Sequence, residues 1–174
     1  PRVDEENFYG LTSDFEDIQI DMLTLRLEHD FSDNTTLRNS TRYSRTEQER
    51  VLTAPLQSPI VSATEPPSTW TLNRSRHASY PENELLTNQT NILTRFSTGS
   101  IQHTLATGVE FIYEKQFTPT FGGLGTLAPT NLYAPDRNGV FTVAPNIAPT
   151  GAYNDGNTVT SAVYAFDTWE LSPK

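Results

Sequence analysis

Apolar side chains recur at every second residue along much of this chain, and that period restricts its segments to β-strands with two unlike faces. The clearest run is Ile101–Tyr113. Ile101, His103, Leu105, Thr107, Val109, Phe111 and Tyr113 share one face, and Gln102, Thr104, Ala106, Gly108 and Glu110 share the other, with Ile112 out of pattern. From Met22 to Phe31, Leu23, Leu25, Leu27 and Phe31 alternate with Thr24, Arg26, Glu28 and Asp30. A helix would scatter those charges around its circumference. Leu37, Thr41 and Tyr43 oppose Arg38, Ser40, Arg42 and Ser44; Leu86, Thr90, Ile92 and Phe96 oppose Thr87, Gln89, Asn91 and Arg95, with Leu93 the exception. A fifth segment, Val159–Leu171, is apolar on both faces at first and its register is ambiguous. The pattern predicts strands over about 16–31, 35–53, 70–97, 100–117 and 158–172.

The connections are of two kinds. Ser32-Asp33-Asn34 and Thr98-Gly99-Ser100 carry the residues that tight hairpin turns need. The segments 54–69 and 118–157 are long. The first holds Pro55, Pro59, Pro66 and Pro67; the second holds five Pro, six Gly and five Asn but only three charged residues. The layout is therefore an all-β antiparallel up-and-down meander with short turns at one end and long loops at the other. Outer-membrane barrels have that asymmetry, with short periplasmic turns and long extracellular loops. A soluble β-sandwich binding module also alternates, burying its apolar faces as a core, and that alternative stays open on pattern alone.

Composition bears on the choice. Hydrophobic residues are 35% and charged residues 19% of 174, while Thr, Ser and Asn make up 50 residues. That is little material for a conventional core, yet aromatics at 10% are too many for a disordered chain. The net charge of -9 shows no basic stripe for nucleic acid, and there is no cysteine. The polar strand faces carry Arg26, Glu28, Arg38, Arg42, Arg95 and Glu110, and ten of twelve basic residues are Arg. Arg suits paired networks across strands. In the barrel reading these are lumen charges, and Leu23, Leu25, Leu27, Leu105, Val109 and Phe111 face lipid. Phe31 and Phe96 near the short turns, with Tyr43, Phe111 and Tyr113 nearer the long loops, match two interfacial aromatic girdles.

Several stretches resemble consecutive strands of TonB-dependent ferric-siderophore receptors, catecholate branch. They are Thr24-Leu25-Arg26-Leu27-Glu28-His29-Asp30-Phe31, Thr36–Tyr43, Leu86–Thr90, His103–Phe111 and Tyr164–Thr168, in that order, with Asn7-Phe8-Tyr9-Gly10-Leu11 like the loop before a strand. No single stretch is diagnostic; their order and spacing carry the resemblance, which covers most of the chain outside the two long loops. It implies a 22-stranded transmembrane barrel in a Gram-negative outer membrane, a plug inside it, a TonB-box, and import of a ferric siderophore with energy from TonB. About five strands, with no recognisable plug or TonB-box, read as 1–174 being an interior part of such a barrel, from its first half. The implied partners are the remaining strands and plug, the TonB complex, the ferric siderophore and membrane lipid, with no nucleic acid. Another outer-membrane barrel, a channel or an adhesin, is the runner-up.

Catalytic chemistry finds no footing. His29, His77 and His103 lack metal-ligand spacing, and neither a phosphate-binding Gly loop nor a nucleophile elbow occurs. No catalytic residue, metal ligand or directly bound cofactor is expected; the iron chelate is cargo. The Asn-x-Ser/Thr sequons at Asn34, Asn39, Asn73 and Asn88 are what a Thr- and Asn-rich chain yields by chance. Ligand recognition is then expected in the loops: Arg137, Tyr133, Phe121, Phe141 and Tyr153 in 118–157, and Trp70, Arg74 and Arg76 after 54–69. A ferric catecholate is anionic and aromatic, so Arg can pair with its charge while Tyr and Phe stack on its rings.

Overall fold

The computed structural model describes residues 2–56 and 59–171. Ten strands follow in chain order: β1 (Phe15–Ser32), β2 (Thr35–Pro55), β3 (Thr71–Leu72), β4 (Arg74–Ser79), β5 (Glu82–Thr98), β6 (Ile101–Gly122), β7 (Thr126–Leu127), β8 (Thr130–Asn131), β9 (Phe141–Val143) and β10 (Ala148–Glu170). A single 3-10 turn, Pro67–Thr69, is the only helical element among the described residues. The main sheet is an antiparallel meander ordered β1-β2-β5-β6-β10, with β4 also paired to β2. Two-residue turns at Asp33-Asn34 and Gly99-Ser100 join β1 to β2 and β5 to β6.

The strand expected over 70–97 is three pieces. Pro81 has no N–H to give, which breaks the ladder between β4 and β5, although its carbonyl still accepts from Gln48 N at 3.1 Å. Thr71 and Leu72 pair instead with Asn131 and Thr130 of β8. The segment expected as loop over 118–157 contains strand at both ends, since β6 runs to Gly122 and β10 starts at Ala148. Thr150 Oγ1 donates to Thr120 O at 3.0 Å, and the Phe117 and Tyr153 rings lie 5.4 Å apart. Pro119, Pro149 and the glycines concealed these ends because such residues normally weaken or interrupt strands. Gln57 and Ser58 of the expected loop 54–69, and Ser172 of the expected strand 158–172, lie outside the described residues.

The chain divides into two compact units. One comprises Pro1–Gln19, Glu47–Glu82 and Phe117–Asn154. It contains every buried apolar side chain among the described residues: Leu11, Val51, Leu72, Leu127 and Leu132. The other comprises Ile20–Thr46, Asn83–Gln116 and Asp155–Lys174. It is sheet with no buried residue among those described. Leu23 is 72% exposed and Val163 82%, with Leu25, Leu27, Val109 and Phe111 also open. No second sheet covers this apolar face among the described residues, so the sandwich architecture is not the one adopted.

The register of β10, ambiguous in the sequence, is legible from contacts. Gln89 Nε2 donates to Tyr164 Oη at 3.2 Å, which puts Tyr164 on the polar face. His103 Nδ1 lies 2.7 Å from Asp167 Oδ2, which puts Asp167 on the other. Gly108 lets the Tyr164 ring lie flat on the sheet: a Cβ there would come within 2.5 Å of that ring.

Candidate functional site

The loop-bearing unit is organised around a buried guanidinium. Val51↔Ala78 to Pro55↔Arg74 of the β2–β4 ladder bring Arg74 to the end of β4, where it is 6% exposed. Its Nη1 donates to Asp136 O at 2.7 Å and Tyr9 O at 3.4 Å. Burial pulls its pKa down, opposed by the charges of Asp136 and Asp14; a guanidinium nonetheless stays charged. Gly139 closes the packing with φ at 66°, and a Cβ there would sit 2.7 Å from Leu11 Cδ2.

The N-terminal segment is threaded into the same unit. Tyr9 Oη donates to Leu132 O at 2.6 Å, and Thr12 N donates to Arg137 O at 2.9 Å. Asp14 accepts from Leu11 N at 2.9 Å, Thr53 N at 2.9 Å and Thr53 Oγ1 at 2.8 Å. Thr130 Oγ1 accepts from Asp136 N at 2.8 Å. The backbone of the loop is thus held by side chains up to 126 residues away in sequence, Asn7 Nδ2 donating to Tyr133 O.

Within this unit the eight expected ligand-contacting residues separate by environment. Arg74 is enclosed. Arg76 is half-buried, its Cζ 5.4 Å from the centre of the Phe141 ring and its Nη1 3.4 Å from Leu124 O. Phe121 stacks on Tyr80 at 4.2 Å. Trp70 donates from Nε1 to Ser62 O at 3.2 Å, and Tyr133 is half-buried with its N–H on Asn131 Oδ1. Arg137 and Tyr153 are the two with open side chains. Arg137 holds its Cζ 5.8 Å from the centre of Phe8, itself 50% exposed. An exposed guanidinium over an exposed ring offers an anionic aromatic ligand both a charge and a stacking surface. The sequence pointed to Arg137 but not to Phe8, whose one signal was its place in the loop-like stretch 7–11.

In the sheet unit, the polar face joins Arg38 Nε to Glu28 Oε2 at 2.7 Å and Arg42 Nε to Thr24 Oγ1 at 3.3 Å. Thr36 Oγ1 donates to Asp30 Oδ1 at 2.6 Å. Arg26 and Arg95 are exposed and Glu110 is half-buried. On the opposite face Leu105 is half-buried, while Leu23, Leu25, Leu27 and Val109 are open. Among the described residues no three His, Cys, Asp or Glu side chains converge as a metal site would require.

Comparison with known proteins supplies the kinship. The family model described as TonB dependent receptor-like, beta-barrel matches residues 1–174. The catecholate siderophore receptor Fiu of Escherichia coli K12 is 41% identical over 98% of this chain, which spans 22% of that protein. The crystal structure of the ferric-catecholate import receptor Fiu in its open form superposes with a TM-score of 0.86 over 98% of this chain and 26% of that one. The siderophore receptor PiuA of Acinetobacter baumannii, at 22% identity and a TM-score of 0.78 over all of this chain and 26% of that one, shares the fold. With alternating strands, an uncovered apolar face and a full-length family match, the chain belongs to the TonB-dependent receptor β-barrel family.

Proposed function

We propose that the protein carrying this chain is a receptor of the Gram-negative outer membrane that binds a ferric catecholate siderophore and imports it with energy from TonB. The observation that carries this reading is the 41% identity, over 98% of the chain, to a protein named as a catecholate siderophore receptor. Five main-sheet strands cannot close a barrel, so the remaining strands and a plug complete it, and lipid covers Leu23, Leu25, Leu27, Leu105, Val109 and Phe111. The lumen is lined by Arg26, Glu28, Arg38, Arg42, Arg95 and Glu110. The reaction is transport, and the iron enters as chelated cargo.

Recognition centres on Arg137 and Phe8, with Tyr153 as a further open ring; Arg74, Arg76, Trp70, Tyr133, Phe121 and Phe141 support the surface from beneath. In the full-length receptor, Arg137→Ala is expected to weaken ferric catecholate binding about tenfold, the equivalent of ~1.4 kcal/mol. Fluorescence titration of the purified receptor measures it. An affinity equal to that of the parent removes Arg137 from the site.

A further inference from the structure

The face of the sheet unit that carries Leu37, Tyr43, Leu86 and Ile92 also carries four polar side chains in the midst of them: Asn39 and Thr41 on β2, Asn88 and Thr90 on β5. They form a closed ring. Asn39 Nδ2 donates to Thr90 Oγ1 at 2.7 Å, and Thr90 Oγ1 donates to Asn88 Oδ1 at 3.3 Å. Asn88 Nδ2 donates to Thr41 Oγ1 at 2.7 Å, and Thr41 Oγ1 donates back to Asn39 Oδ1 at 3.2 Å. Every hydroxyl accepts one bond and gives one, and every amide does the same. All four residues are half-buried.

The ring joins the one adjacent pair among β1, β2, β5 and β6 that no tight turn aligns. β1–β2 and β5–β6 have two-residue turns, which set register. β2 and β5 are separated by residues 56–81, and the β2–β4 ladder holds the same alignment only beyond the break at Pro81. Alternation alone forbids a slip of one residue, because that would exchange the two faces, but it permits a slip of two. A slip of two breaks both cross-strand bonds at once: in one direction Thr41 and Thr90 come to face Leu86 and Leu37, in the other Asn39 and Asn88 come to face Ile92 and Tyr43. The cross-strand contacts agree on one alignment: Thr35 Oγ1 donates to Thr94 Oγ1 at 3.5 Å, and Arg95 N donates to Asn34 O at 2.8 Å.

We infer that the Asn39–Thr90–Asn88–Thr41 ring locks the register of β2 against β5 inside the membrane, beyond the reach of the β2–β4 ladder. This rests on the reading that the face meets lipid. In water each member would exchange its partner for solvent at small net cost. In hydrocarbon a broken ring leaves two of the four side chains facing apolar neighbours with nothing to bond. The ring therefore acts as a selective penalty on every alignment but one, while exposing little unsatisfied polarity to lipid in the alignment it favours.

The test is disulfide cross-linking of the full-length receptor in outer membranes, with cysteines outside the ring. The aligned pair replaces Thr35 and Thr94; the shifted pairs replace Thr35 with either Ile92 or Phe96. With the ring intact, only the aligned pair is expected to cross-link. In a chain bearing Asn39→Leu, Thr41→Val, Asn88→Leu and Thr90→Val, shifted pairs should cross-link as well. Aligned-only cross-linking in that chain overturns the inference. If that chain does not assemble, a ring exchanged across the strands decides. This variant carries Asn39→Thr, Thr41→Asn, Asn88→Thr and Thr90→Asn. Assembly with aligned-only cross-linking supports the lock, and failure to assemble or shifted cross-links contradict it. The lipid placement is read separately: single cysteines at Leu37 and Ile92 should resist a water-soluble maleimide, and labelling there refutes the placement irrespective of the cross-linking.

Discussion

Arg74→Met opens the loop unit while leaving the sheet strands paired. The substitution keeps an unbranched side chain of similar reach but removes the guanidinium that serves Asp136 O at 2.7 Å and Tyr9 O at 3.4 Å. It also removes the positive charge on which Asp14 and Asp136 act. Removing a charged donor from two enclosed carbonyls costs about 1.5–3 kcal/mol. A loss of that size raises the open fraction of the unit by roughly one to two orders of magnitude. Limited proteolysis of the intact receptor in membranes reads that fraction when opening is fast relative to cleavage. Cutting between Gly123 and Ile147 should accelerate accordingly, and a parent-like cleavage rate would show that Arg74 does not hold the loop.

Asp14→Ala is expected to release the N-terminal segment from the end of β2. The Asp14 carboxylate accepts three hydrogen bonds, one from Leu11 N and two from Thr53. Bonds to a charged group contribute about 1.5–3 kcal/mol each but are not additive. We expect a net loss of about 2–4 kcal/mol for the tie. Leu11, 2% exposed, would lose its fixed place against Gly139. Hydrogen exchange measures this at the Leu11 and Thr53 amides, whose protection should fall by about two orders of magnitude. Unchanged protection at both would mean the carboxylate is dispensable. Asp14→Asn should lie between the two, since an amide oxygen can keep one side of the arrangement.

How much of this was visible in the sequence follows from what each feature depends on. β1, β2, β5 and β6 announce themselves because apolar and polar side chains are segregated to their two faces, and a period of two records that difference residue by residue. The ends of β6 and β10 do not, because Pro119, Pro149 and Gly151 carry the composition of a loop while the backbone beside them remains paired. The loop unit was least legible. Arg74 stands between Asn73 and Ser75 with no acid nearby in sequence, and its carbonyl partners are 62 and 65 residues away. Its charge suggested a ligand contact, but only its surroundings reveal a scaffold. Asp14 was invisible for the same reason: a single carboxylate before a strand has no pattern to betray the three donors it serves. Arg137 was legible because it is the one cation in 118–157, whereas its neighbour Phe8 comes from the far end of the chain.

The polar ring on the apolar face is a further case. Asn39, Thr41, Asn88 and Thr90 look in sequence like lapses in an apolar stripe, and Asn39 and Asn88 each open a fortuitous sequon. Opposite one another they satisfy each other, so the lapse on one strand is explained only by the lapse on the next.

The central claim, that the protein carrying this chain imports ferric catecholates by a TonB-dependent route, is tested most directly by uptake of radioactive iron. The cells should express the full-length receptor as their only catecholate receptor, with and without functional TonB. Iron presented as a ferric catecholate is expected to be taken up when TonB works and not when TonB is absent. Absence of uptake in the presence of TonB, or uptake that persists without it, would contradict the account.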